Sequence, residues 1–153
     1  MTTTRQCNLI DQTLAGPFGA LPLADFLDRN GRRWEGSDLP QHVKKMPSGQ
    51  CFRNAWELSL RHGFPYCEGY GWDIKLGAQP FYHAWNLCPK SECIIDPTWA
   101  IGNGAIYLGV ELTPKQLMRI VDLTGCFEVL QSGRRAALAL VSQVLDLKPE
   151  TVE

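Results

Sequence analysis

The chain contains no long hydrophobic run. Its longest uninterrupted apolar stretch is the six residues 136–141, far below the roughly 18 that suggest a membrane span. The first sixteen residues are rich in Thr, Gln, Asn and Asp and lack the apolar core of a secretory signal. Neither sign of charge is in excess: 15 Lys and Arg face 16 Asp and Glu, for a formal net charge of -1. No basic stripe is present, and the pairs Arg32-Arg33, Lys44-Lys45 and Arg134-Arg135 read as solvated surface. These absences predict a cytoplasmic protein with neither nucleic acid nor membrane as partner. Repeats, low-complexity tracts and linkers are also missing, which predicts one domain over residues 1–153.

What is present is an ordinary globular composition, 44% hydrophobic and 20% charged over 153 residues. A domain of this length buries about 70% of its unfolded surface and needs no covalent staples. The six cysteines, Cys7, Cys51, Cys67, Cys88, Cys93 and Cys126, are therefore not required for folding, and in a reducing compartment they stay as thiols.

Periodicity predicts a short helix over 22–28 stopped by Asn30-Gly31, a loop to residue 47, and a helix over 49–61 with Ser48 as its N-cap. Strands are predicted over 65–72, 81–88, 93–99 and 105–112, from aromatic and β-branched runs between Gly, Pro, Lys and Ser clusters. Thr113-Pro114 then starts a helix that runs to about Leu123 and stops at Gly125. A short strand over 127–130 and a last helix over 133–147, ended before Pro149, complete an α+β pattern.

Cys51 falls in the first turn of its helix, three positions after the Ser48 cap. Unpaired N–H groups and the positive end of the helix dipole favour thiolate there, and thiolate is the nucleophilic form. Two further segments matter, Phe81-Tyr82-His83-Ala84-Trp85-Asn86 and Ile94-Ile95-Asp96-Pro97-Thr98-Trp99. Closing them as a hairpin around residues 89–92 sets Cys88 opposite Cys93, Trp85 opposite Asp96 and His83 opposite Thr98. His83 and Asp96 then share a face as diagonal neighbours, a gap that an imidazole and a carboxylate span with a hydrogen bond. A carboxylate on one ring nitrogen fixes the tautomer and leaves the other nitrogen to exchange a proton with a nucleophile. Cys51, His83 and Asp96 fit those three roles. Taken singly, His83 also reads as a half-buried strand histidine and Asp96 as a turn residue before Pro97.

The stretch Gly49-Gln50-Cys51-Phe52-Arg53-Asn54-Ala55, with His83-Ala84-Trp85-Asn86 and Ile95-Asp96-Pro97-Thr98, resembles the core of the papain-like cysteine superfamily, and most of all its transglutaminase-like branch. The resemblance covers residues 48–99, about a third of the chain, on short motifs. It implies a helix-start Cys packed on an antiparallel sheet, here a core over 48–112 with additional C-terminal helices. It also implies Cys51 as nucleophile, His83 as general base then acid, and Asp96 as orienter. Members cleave, deamidate or transfer acyl groups through a thioester, without a cofactor. The implied function is a cysteine hydrolase or acyl transferase acting on amide, peptide or isopeptide bonds of a protein or peptide. The side-chain oxyanion donor of the family has no counterpart at matching spacing, since Gln41 lies ten residues and Trp34 seventeen residues before Cys51. The Cys51 N–H, then Gln50, is the expected donor. The chain is also shorter than a classical transglutaminase and has no acidic cluster for calcium.

Tyr66, Glu68, Tyr70 and Trp72 alternate with Cys67, Gly69 and Gly71. Glu68 and Trp85 are read as substrate-binding residues, Glu68 on a groove wall; a central strand packed against a helix explains the same alternation. A zinc site from Cys67, His83, Cys88 and Cys93 fails on parity, because His83 and Cys88 point to opposite faces of the hairpin. In the predicted register Cys88 and Cys93 are near enough for a disulfide under oxidising conditions. The alternative function is a non-catalytic, partner-binding or regulatory module on the same fold.

Overall fold

The computed structural model describes the backbone of residues 4–148 and the side chains of 9–148. The Cys7 side chain, and Pro149 beyond the last helix, lie outside the described residues. The architecture is α+β: a curled five-stranded antiparallel sheet with helices packed on it. In chain order the elements are α1 (Thr4–Ala15), α2 (Pro22–Asn30), β1 (Arg32–Glu35), α3 (Cys51–His62), β2 (Tyr66–Asp73), β3 (Phe81–Leu87), β4 (Ile94–Ile95), β5 (Ala105–Leu112), α4 (Pro114–Thr124) and α5 (Arg135–Val144). The strands lie in the order β1-β5-β2-β3-β4. Among the described residues no helix is long and apolar enough to cross a membrane.

Local chemistry explains the firmest boundaries. Pro22 opens α2, and Pro114 opens α4 behind Thr113. Thr113 Oγ1 accepts from Gln116 N, while Gln116 Oε1 accepts from Thr113 N, a reciprocal cap that satisfies two otherwise orphan donors. Gly125 ends α4 and Gly63 ends α3, both left-handed at φ 70°.

Register gives the sheet two faces. Cys67, Gly69 and Gly71 pair with Trp85, His83 and Phe81 on β3, and Gly69 and Gly71 with Gly109 and Tyr107 on β5; Trp34 of β1 faces Tyr107. The opposite face carries Tyr66, Glu68, Tyr70 and Trp72 of β2, with Tyr82, Ala84 and Asn86 beside them on β3. That second face holds the main core, where Ile10, Leu27, Leu117, Ile120 and Val141 from four helices meet Tyr66, Trp72, Leu108 and Val110. The first face carries a separate aromatic cluster built on Trp34, Trp85 and Tyr107, with Trp99 and Ile101 against it.

Several expectations from sequence are revised. α1 is formed by a segment too polar to predict one, because Leu9, Ile10 and Leu14 pack into the main core. Residues 32–35, expected as loop, form the edge strand β1; only Trp34 among its charged neighbours is buried, so it carries no alternation signal. Gln50 rather than Ser48 occupies the N-cap position of α3, with no side-chain cap bond, after a turn in which Gly49 sits at φ 78°, so Cys51 is the first helical residue. β4 stops at Ile95 because Asp96 Oδ1 takes the N–H groups of Thr98 and Trp99 out of the ladder. Residues 127–130 form no strand, since the Val129 and Leu130 N–H groups donate to the Glu68 carboxylate. The last helix is shorter than 133–147: a 3-10 turn, Gln131–Gly133, precedes α5.

Candidate active site

The hairpin register places the first two functional groups. Asn86 pairs with Ile95 and Leu87 with Ile94, and Cys88 N donates to Cys93 O at 2.9 Å. This is the pairing expected from parity, and it puts Asp96 one step past the ladder on the His83 side. His83 Nε2 donates to Asp96 Oδ2 at 2.8 Å, with the two residues 2% and 3% exposed. Asp96 uses all its capacity: Oδ2 also accepts from the Tyr107 hydroxyl at 2.7 Å, and Oδ1 accepts from Thr98 N at 3.2 Å and Trp99 N at 3.1 Å. Asp96 thus holds the turn with one oxygen and the His83 ring with the other. The turn lays the Trp99 indole flat on His83, with centroids 3.9 Å apart and planes at 16°. Gly71 makes this possible: a Cβ there would stand 2.9 Å from the Trp99 ring.

Cys51 approaches from the other side. β4 has only two residues, so the edge of β3 beside His83 is unpaired, and α3 packs against β3 through Phe52 on Tyr82 and Ala55 on Asn86. The Asn86 side chain donates to Ala55 O at 2.8 Å, and Asn54 Nδ2 donates to Thr98 Oγ1 and to Pro47 O, each at 2.9 Å. Asn54 is one turn beyond Cys51, so its bond to Thr98 fixes the helix start against the Asp96 turn. Thr98→Val keeps the shape but leaves one buried Asn54 N–H without an acceptor, at an expected cost of about 1–3 kcal/mol. Urea midpoints of the two proteins measure it, and equal midpoints would mean the bond does not stabilise the fold.

The electrostatics join the three residues. Burial alone would push the His83 imidazole down, but hydrogen bonds to Asp96 and Cys51, together with their charges, raise it to about 9. Burial pushes the Asp96 carboxyl up, and the His83 hydrogen bond and charge, with the Trp99 N–H and Tyr107 hydroxyl, overcome this and hold it below its usual value. With Nε2 engaged by Asp96, Nδ1 is the nitrogen left for Cys51. Burial and then the Asp96 charge raise the Tyr107 hydroxyl well above its normal range, so it remains a donor.

A cavity of about 630 Å³ opens at the start of α3, walled by the neighbours of Cys51 rather than by Cys51 or His83 themselves. Gln50, Phe52 and Arg53 form its wall at the α3 start, and Cys126, Phe127, Glu128 and Gln131 face them. Gln50 is exposed there, next to the first N–H groups of α3, which no side chain caps. Two of the expected substrate-binding residues need correction. Trp85 is fully buried beneath the site, 6.1 Å from the His83 ring and 4.7 Å from Tyr107, and serves as a platform. Glu68 is 0% exposed and on the opposite face of the sheet from His83, so it lines no groove. Cys88 and Cys93 are free thiols facing each other across the hairpin, and Cys67 is buried. Among the described residues no group of three or more His, Cys, Asp or Glu could hold a metal ion.

Sequence reasoning missed Asn54, Thr98, Trp99 and Tyr107. Asn54 and Thr98 stand within the motif stretches, but only the contact between helix and turn gives them a role. Tyr107 could have been found by carrying strand parity across β2 to β5. No family model matches the chain, and neither a curated protein nor a solved structure matches it, so the functional reading rests on the geometry of Cys51, His83 and Asp96.

Proposed function

We propose that this chain is a cysteine-dependent hydrolase or acyl transferase with a papain-like, transglutaminase-like core, acting on an amide, peptide or isopeptide bond of a protein or peptide. The observation that carries the reading is a buried imidazole held at Nε2 by a fully hydrogen-bonded carboxylate, with a helix-start thiol near enough to raise it further. A buried histidine needs only one partner to be satisfied; this arrangement gives each ring nitrogen a different task.

The Cys51 sulfur attacks the carbonyl carbon, and the thiol proton resides on His83 Nδ1. The oxyanion of the tetrahedral intermediate accepts from the Cys51 N–H in the uncapped first turn of α3, with the Gln50 side chain beside it. Collapse breaks the C–N bond as imidazolium protonates the leaving amine, leaving a Cys51 thioester. Water or a second amine, deprotonated by His83, then releases the acyl group and regenerates the thiol. Asp96 stabilises the imidazolium throughout. A thiol nucleophile must stay reduced, which is consistent with a cytoplasmic setting.

Iodoacetamide labelling tests the reading directly. At pH 7 Cys51 is expected to react at least about tenfold faster than exposed Cys93, and His83→Ala is expected to abolish the difference. Labelling of Cys51 no faster than Cys93 would sink the enzyme and leave a partner-binding module.

A further inference from the structure

Among the described residues Glu68 is the one fully buried carboxylate besides Asp96, and its partners there are all neutral donors. It sits at the middle of the central strand, opposite Ala84 and Val110. Oε1 accepts from the Tyr66 hydroxyl and from Val129 N at 2.9 Å; Oε2 accepts from the Tyr82 hydroxyl and from Leu130 N at 2.7 Å. An uncompensated buried carboxylate is costly unless its lone pairs are filled, and here four donors fill them.

Three of those donors stand directly behind the walls of the cavity at the start of α3: Val129 and Leu130 follow Phe127 and Glu128, and Tyr82 packs on Phe52. Residues 127–130 run without a strand partner, and their backbone is held by Glu68 at Val129 and Leu130 and by the Tyr66 hydroxyl at Phe127 O, 3.1 Å away. This segment carries Phe127 and Glu128 into the cavity wall. On the facing wall the Phe52 ring packs on Tyr82 at 4.9 Å, and the Tyr82 hydroxyl is the one that Glu68 Oε2 holds. Tyr82 is also hydrogen-bonded by the backbone of Ser132, next to Gln131 of the wall. One carboxylate therefore ties together both sides of the opening.

We propose that Glu68 is a positioning residue that sets the width of the cleft beside Cys51, and so governs which acyl groups reach the thiol. Its consequence for catalysis rests on the cysteine-enzyme reading, but the clamp itself does not. With Phe52 and Phe127 both in its wall, the cavity favours a flat, apolar or aromatic acyl group over a small one.

Two probes with the same electrophile separate positioning from chemistry: iodoacetamide, and N-naphthyl iodoacetamide, whose ring must enter the cleft. In the native protein Cys51 is expected to prefer the naphthyl probe. Glu68→Gln keeps the size but turns a donor toward two of the four donors. It is expected to lower that preference by about tenfold, as misplaced walls do, while the iodoacetamide rate stays within about twofold. Amide exchange at Val129 and Leu130 is expected to accelerate in parallel. If Glu68→Gln does not fold, Tyr82→Phe, which removes one hydroxyl and keeps the carboxylate, is expected to lower the preference in the same direction. Equal loss of both rates, an unchanged preference in the folded variant, or unchanged exchange at Val129 and Leu130 overturns the clamp. Slow Cys51 labelling in the native protein would remove the enzyme reading, yet the probe ratio and the exchange rates would still decide the role of Glu68.

Discussion

Asp96→Asn is expected to lower turnover of an amide substrate by about 10³- to 10⁴-fold while the chain stays folded. The two carboxylate oxygens have different partners, and this decides how an amide would sit. Oδ1 accepts from Thr98 N and Trp99 N, so the asparagine oxygen belongs there to keep the turn. The amide NH₂ then replaces Oδ2 and points donors at His83 Nε2 and the Tyr107 hydroxyl. Nε2 must become an acceptor, which moves the imidazole proton to Nδ1, the nitrogen facing Cys51. A protonated Nδ1 in a neutral ring cannot take the thiol proton. The imidazolium also loses the carboxylate that raises His83 to about 9. The kinetic loss should fall in kcat, and the Cys51 alkylation rate near pH 7 should drop with it. An unchanged circular dichroism spectrum would report the intact turn. A loss under about tenfold would show that Asp96 only shapes the turn and would refute the triad.

How much of this site was legible depends on where each contact comes from. The His83–Asp96 pair followed from counting residues across one hairpin, because a two-residue period and a short loop leave few registers. Cys51 at a helix start followed from helical periodicity, although its cap shifted from Ser48 to Gln50 once Gly49 turned the chain. The α4 boundaries were legible for the same local reason, a reciprocal cap and a left-handed glycine. What was not legible depends on groups distant in sequence. Tyr107 reaches Asp96 only after β5 pairs with β2. Residues 127–130 look like a strand, yet their N–H groups are claimed by a carboxylate 61 and 62 positions away. Of the two readings of residues 66–72, the central strand packed against helices holds, and the groove wall fails although a charged residue on a strand ordinarily signals exposure. Four inward donors reverse that rule, and three of them, Tyr82, Val129 and Leu130, lie outside residues 66–72.

The same buried groups predict how stability changes with acidity: it is expected to fall from pH 5 to pH 9 in two stages that separate variants can isolate. Burial raises the Glu68 carboxyl from its ordinary 4.5 to about 7, against the opposing hydrogen bonds of Tyr66, Tyr82, Leu130 and Val129. The folded chain therefore holds this proton more tightly than the unfolded chain. Its contribution is fully present below about pH 4.5 and is lost as pH rises through about 7, a loss of about 3 kcal/mol. His83 is raised from 6.5 to about 9 by Asp96 and Cys51 in spite of burial. Its contribution is present below about pH 6.5 and lost as pH rises through about 9, again about 3 kcal/mol. The lowered Asp96 carboxyl has the opposite sign, stabilising above its ordinary 3.8 and failing as pH falls through its folded value. It is the His83 interaction seen from the other partner and is counted once. Either stage is a sizeable share of a domain stability of about 5–15 kcal/mol, and corresponds to about 10 °C in Tm. Thermal midpoints at pH 5, 7 and 9 should show Glu68→Gln losing the slope between 5 and 7 while keeping that between 7 and 9. His83→Gln should do the reverse. Native midpoints that are flat between pH 5 and 7 would mean that Glu68 is ionised throughout, its four donors outweighing its burial.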